Sequence, residues 1–148
     1  MTVTNCIVYG LFATWPRGRN KGSGMPSQDK TKRSIVFYMV PEFSMIAFSM
    51  AIEPLRLANR MLGYECYKWR LTSHDGEPVP ASNGVVVAVN TSLTEERKSL
   101  SGENRPTMVF VCSGTNVERF QNKSVLAWLR EEHNRGVAVG GLCTGAHI

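Results

Sequence analysis

Residues with chemical potential concentrate in one segment near the end of the chain, Val137-Ala138-Val139-Gly140-Gly141-Leu142-Cys143-Thr144-Gly145-Ala146-His147. An apolar run of strand type feeds a bend of small residues that carries one cysteine. A strand that turns sharply into a helix holds its bend residue at the mouth of an α/β sheet, and flanking glycines let other groups come close. Cys143 in that place has two readings. It is a nucleophile beside backbone N–H groups that could hold an anion or oxyanion, or it is a small apolar filler, since free cysteine is often buried.

A thiol nucleophile needs a base within hydrogen-bond reach and a group that orients the base. The three histidines fit other roles better. His74 adjoins Asp75-Gly76 at a strand end and suits a turn. His133 sits near the end of a helical segment, where a cation complements the helix dipole. His147 follows Cys143 by four residues, an uncommon geometry for a catalytic pair. The four cysteines, Cys6, Cys66, Cys112 and Cys143, include no C-x-x-C pair and no metal-type spacing with the histidines. A reduced, cytoplasmic protein without metal or cofactor is the expectation.

The elements that must position Cys143 read as alternating strands and helices. Ser34–Val40 is a near-continuous apolar run, as in a strand buried on both faces. Ser44 can cap a helix to Leu62, with Pro54 expected to kink or restart it and Gly63 to end it. Tyr67–Ser73 and Val85–Val89 read as strands, the second behind an Asn83-Gly84 turn. Ser92-Leu93-Thr94-Glu95 is a capping box for a short helix. Thr107–Cys112 is a strand, followed by the loop Ser113–Asn116 and a helix expected over Val117–Asn134. That helix turns Val125, Leu126, Trp128 and Leu129 inward, and Gly136 ends it; Val137–Leu142 is the last strand. The pattern implies βαβ units and a doubly wound parallel sheet, an α/β fold.

Composition separates two regions. The 148 residues are 43% hydrophobic and 20% charged, ordinary for a globular protein, with a net charge of +5. Residues 1–33 carry six basic residues against Asp29 alone, which accounts for the whole excess; residues 34–148 carry eleven of each sign. The folded part is therefore neutral and shows no electrostatic footprint for DNA. The apolar run Cys6–Ala13 precedes the basic residues, the wrong order for a signal peptide, and is too short to span a membrane. Residues 1–33 read as a basic flexible leader, with Met25 the preferred start of translation.

Three segments together resemble a known family. They are Val36-Phe-Tyr-Met-Val-Pro-Glu-Phe43 continuing to Glu53-Pro-Leu-Arg-Leu-Ala-Asn59, Val109-Phe-Val-Cys-Ser-Gly114, and Gly140-Gly-Leu-Cys-Thr-Gly-Ala146. Over residues 34–148 the chain resembles the PfpI-type, class I glutamine amidotransferase-like domain, in the form found at the N-terminus of GlxA-like AraC/XylS-family transcriptional regulators. The resemblance implies a flavodoxin-like three-layer sandwich, here incomplete at its C-terminus, that senses a small metabolite and forms a homodimer. DNA would be bound only through a C-terminal helix-turn-helix domain absent from this sequence. The implied effector is amino-acid-like or a quaternary ammonium compound, held by Cys143, Thr144, Gly114 and Glu53, with Tyr38, Phe43 and Trp69 as possible aromatic faces. Core packing is the expected role for at least two of those three.

In hydrolases of the superfamily the histidine lies downstream of the cysteine, and an acid stands one helical turn before the proline; Met50 occupies that place here. A non-catalytic sensor is therefore expected, and a Cys143-dependent hydrolase or glyoxalase-like stress protein is the alternative. A dimerising fragment without DNA binding is a third reading.

Overall fold

The computed structural model describes residues 32–98 and 104–148. The leader up to residue 31, including the Met25 reading, lies outside the described residues. Strand β1 (Arg33–Met39) occupies the centre of a five-stranded, wholly parallel sheet. Its neighbours are β2 (Tyr67–Ser73) and β6 (Met108–Cys112), and the order is β5-β2-β1-β6-β7, with β5 at Thr91–Ser92 and β7 at Ala138–Leu142. A central strand needs apolar residues on both faces, and residues 35–39 are all at most 3% exposed.

Helix α1 (Met45–Leu62) starts where the Ser44 hydroxyl accepts from the Ala47 amide and stops at Gly63, in the left-handed conformation at φ 73°. It continues as one helix through Pro54, so it does not restart there. The proline deprives only the Met50 carbonyl of its partner, on an exposed stretch where water can replace the bond. Phe48 of α1 meets Phe37 and Phe43 edge-on, and Phe37 stacks on Phe110, closing one face of the sheet.

The other face carries Val36, Tyr38, Val109 and Val111 against Val125, Trp128 and Leu129 of α3 (Lys123–Asn134). Leu126, expected inward, is only half-buried. The helix expected from Val117 is divided. Val117–Arg119 form a 3-10 turn and Phe120 is extended; the Asn122 side chain then accepts from the Ser124 and Val125 amides and starts α3. Phe120 thereby packs beside Tyr38.

The capping box forms as read. Glu95 accepts from the Ser92 amide at 2.7 Å and Ser92 from the Glu95 amide at 3.3 Å, opening α2 (Leu93–Lys98). The strand expected at Val85–Val89 pairs only over β4 (Val86–Val87), in a hairpin with β3 (Val79–Pro80).

Candidate functional site

The strands are parallel, so their carboxyl ends share one edge, where doubly wound sheets bind ligands. Strand β7 delivers Leu142, and the chain turns at Cys143 into a 3-10 turn, Cys143–His147, rather than an α-helix. Cys143 is exposed and lies at φ 56°, in the left-handed region that costs a non-glycine residue about 1 kcal/mol or more. The turn is pressed onto β6: a Cβ on Gly145 would lie 2.1 Å from the Val111 carbonyl oxygen, so only glycine fits there.

The Thr144 hydroxyl donates to the Gly114 carbonyl at 2.6 Å, tying the bend to the loop after β6. Gly114 is gripped from its other side by the segment after β1. It bridges Phe43, and a Cβ there would stand 2.3 Å from the Glu42 carbonyl oxygen and 2.7 Å from the Ser44 nitrogen. The Thr115 amide donates to that same Glu42 oxygen at 3.1 Å.

Glu42 at φ 62° and Asn116 at φ 58° join Cys143 as the three non-glycine residues of positive φ among those described. The Asn116 side-chain amide donates to Glu42 Oε2 at 2.6 Å, fixing an exposed carboxylate beside the Gly114 loop. Beneath them Ser113 is 1% exposed, and its Oγ has no hydrogen-bond partner among the described residues. Glu42 is the residue that sequence reasoning missed.

The four residues named from sequence do not all meet. Cys143, Thr144 and Gly114 come together as described. Glu53 does not join them: it lies about two helical turns beyond Ser44, exposed on α1, and accepts from Arg56 Nε at 2.8 Å. That bond, with the Arg56 charge, holds its carboxyl below the usual glutamate value. Tyr38 and Phe43 are core residues, at 1% and 0% exposure, and Trp69 is half-buried. Burial, and secondarily the Asp75 charge, push the Tyr38 phenol up.

No hydrogen bond joins the Cys143 thiol to another described residue. Met50 is 66% exposed. The Asn122 Oδ1 is committed to capping α3, so its Nδ2 faces His74 Nδ1 at 3.1 Å, and that nitrogen accepts. The buried thiol of β6, Cys112, is pushed up by desolvation alone. Among the described residues no group of three or more histidines, cysteines or carboxylates is placed to hold a metal ion. None of their helices is long and apolar enough to cross a membrane.

The HTH-type transcriptional regulator GbdR of Pseudomonas aeruginosa is 31% identical over 125 residues, covering 83% of this chain and 32% of GbdR. The HTH-type transcriptional regulator CdhR of the same species is 36% identical over 112 residues, covering 76% of this chain and 31% of CdhR. A solved AraC family transcriptional regulator from Pseudomonas putida superposes with a TM-score of 0.61 at 22% identity, over 74% of this chain and 63% of that one. A ThiJ/PfpI family protein from Pseudomonas syringae superposes with a TM-score of 0.57 at 15% identity, over 88% and 51%. By sequence the chain is similar to HTH-type transcriptional regulators, and it shares its α/β fold with solved AraC-family and ThiJ/PfpI-type proteins. No protein-family profile matches it. The chain spans about a third of the length of the curated relatives it matches.

Proposed function

We propose that this PfpI-like domain is the effector-sensing part of a cytoplasmic AraC-type regulator, and that it works by binding rather than catalysis. The single observation that carries the reading is the convergence of Glu42, Asn116 and Cys143, each strained into the left-handed region, on the Gly114 loop at the carboxyl ends of β1, β6 and β7. Strain of this kind persists only where the surroundings enforce it, and it gathers at ligand sites. The Cys143–Thr144 bend and Gly114 form one side of the proposed pocket. The Glu42 carboxylate supplies a negative charge that suits the cationic end of an amino-acid-like or quaternary ammonium effector. In the longer protein the domain would form a homodimer and leave DNA to a helix-turn-helix domain elsewhere.

The test uses trimethylglycine, the simplest quaternary ammonium amino acid, with glycine and a neutral amide as companions. We expect trimethylglycine or glycine to raise the melting temperature of the chain while the neutral amide does not. Ligand at 100 times its dissociation constant adds about 2.7 kcal/mol of stability. Thr144→Val should remove most of the shift. No shift with any of the three, or a shift indifferent to Thr144→Val, contradicts the proposed site.

A further inference from the structure

The Asn83-Gly84 turn stands at the tip of the β3–β4 hairpin, which carries none of the residues named for the effector pocket. Gly84 takes φ 84°, in the left-handed region, and a Cβ there would meet nothing within 4 Å. Its amide donates to the Ala81 carbonyl at 3.0 Å, the Val85 amide to the Asn83 side chain at 3.1 Å, and the Ala81 amide to the Val85 carbonyl at 2.8 Å. The two strands pair over two residues each, and Ser82 to Val86 are all exposed. A hairpin this short is marginal by itself, so its shape depends on its turn.

From the turn, backbone bonds lead to Glu42. The Glu42 amide donates to the Pro80 carbonyl at 2.8 Å and the Ser82 amide to the Phe43 carbonyl at 3.0 Å. Phe43 bridges Ala81 on this side as it bridges Gly114 on the other. Left-handed backbone costs a non-glycine residue free energy, so Glu42 at φ 62° relaxes unless it is held from outside. Two walls hold it. The Gly114 wall is packed to contact, with no room for a Cβ. The hairpin wall has two-residue strands and an exposed tip, so it is the wall whose conformation can vary.

We infer that the β3–β4 hairpin is the positioning element of the effector site. Its turn, with Gly84 as positioning residue, sets the backbone of Glu42 and so aims the carboxylate at the cationic end of the ligand. The inference rests on the effector reading and assigns that site a means of regulation. Coupling between two places is reciprocal: a cation held by Glu42 tightens the hairpin, and an altered hairpin weakens the hold on the cation. Occupancy is thereby reported on an outer surface that carries Val85 and Val86, 50% and 61% exposed.

Calorimetric titration of the 148-residue chain with two matched pairs of ligands tests it. Trimethylglycine is paired with 3,3-dimethylbutanoate, and glycine with propanoate; within each pair a carbon replaces the charged nitrogen. Wild type should bind the cationic member of at least one pair about tenfold more tightly than its neutral isostere. Gly84→Val, whose β-branched side chain resists positive φ, should bring that ratio to about two, and Gly84→Asn, which accepts positive φ, should restore it. Both members share carboxylate and shape, so general damage to the fold lowers both affinities and leaves the ratio alone. Amide exchange of the wild type supplies an arm that needs no variant. The Ala81 and Ser82 amides should slow about threefold more with the saturating cationic ligand than with its isostere. A wild-type ratio in Gly84→Val, or equal protection by the two ligands, overturns the role of the hairpin and leaves the effector reading standing. A wild type that binds neither cation, or binds both members of each pair alike, overturns both.

Discussion

The two ends of the sheet are built on opposite principles. At the amino end, charge is buried and answered. Glu96 of α2 is 2% exposed and takes a bidentate bond from Arg70, both contacts at 2.6 Å, plus the Thr91 hydroxyl at 2.7 Å. Arg70 also donates to the Ser34 hydroxyl and the Asn104 carbonyl. Nearby, Trp128 Nε1 donates to Glu132 Oε1 at 3.0 Å. At the carboxyl end the backbone is strained, the Glu42 carboxylate and Cys143 thiol stay exposed, and Gly114 is held from two sides. One end closes the fold around the buried, bonded Arg70–Glu96 pair. The other spends stability to hold polar groups outward, which is the behaviour of a site.

The largest effect should come from breaking the closed end. Removing one partner of a buried ion pair leaves an uncompensated charge and costs about 3–5 kcal/mol. Arg70→Ala should therefore lose roughly that much stability in urea unfolding, through the stranded Glu96. A loss below about 1 kcal/mol would mean that the amino end is no better packed than a surface, and the contrast between the two ends would fail.

Gly114→Ala asks the same of the carboxyl end. The added Cβ would collide with the Glu42 carbonyl and the start of α1. Overpacking of this kind costs about 1–3 kcal/mol, and the displaced loop should lose trimethylglycine binding as well. Full binding in a folded Gly114→Ala chain would separate the loop from the site.

A pH series sharpens the view of the closed end. Glu132 is 1% exposed, its Oε2 has no hydrogen-bond partner among the described residues, and burial raises its pKa above the ordinary value. A raised carboxyl pKa means that the folded state binds the proton more tightly than the unfolded one. The stabilisation is thus full below the unfolded value of about 4.3 and is lost as pH rises through the folded value. Glu132→Gln removes that loss, so its stability relative to wild type should grow from acid to neutral pH in urea unfolding. A constant or shrinking difference would contradict the assigned direction.

The smallest effect tests the strain at the bend. At an ordinary position alanine is more stabilising than glycine by about 0.5–1 kcal/mol. At φ 56° the order should reverse, with Cys143→Gly exceeding Cys143→Ala by about 1 kcal/mol in thermal or urea unfolding. The ordinary order would show that Cys143 carries no strain.

Much of this was legible from sequence because it is local. Strands β1, β2, β6 and β7, the Ser44 cap, the Gly63 stop and the Ser92–Glu95 box follow from periodicity and short-range hydrogen bonds. The break before α3 was hidden because Val117–Phe120 can pass for helix, and Asn122 reveals itself as a cap only once Phe120 is drawn toward Tyr38. Glu42 was hidden for a different reason. Its conformation is imposed by Pro80, Gly114 and Thr115, which lie far along the chain, and nothing in Pro41-Glu42-Phe43 announces a left-handed residue. Glu53 misled because its motif is distinctive, whereas the fold uses the Leu55 and Asn59 of that motif and leaves Glu53 outside.

The most direct test of the effector reading is to follow the backbone amides of the chain by NMR as trimethylglycine or glycine is added. The account predicts saturable shifts at Thr115, Asn116, Cys143 and Thr144, with Glu96 and Glu132 at the opposite end unmoved. Shifts confined to the amino end of the sheet, or no saturable shift anywhere, would contradict it.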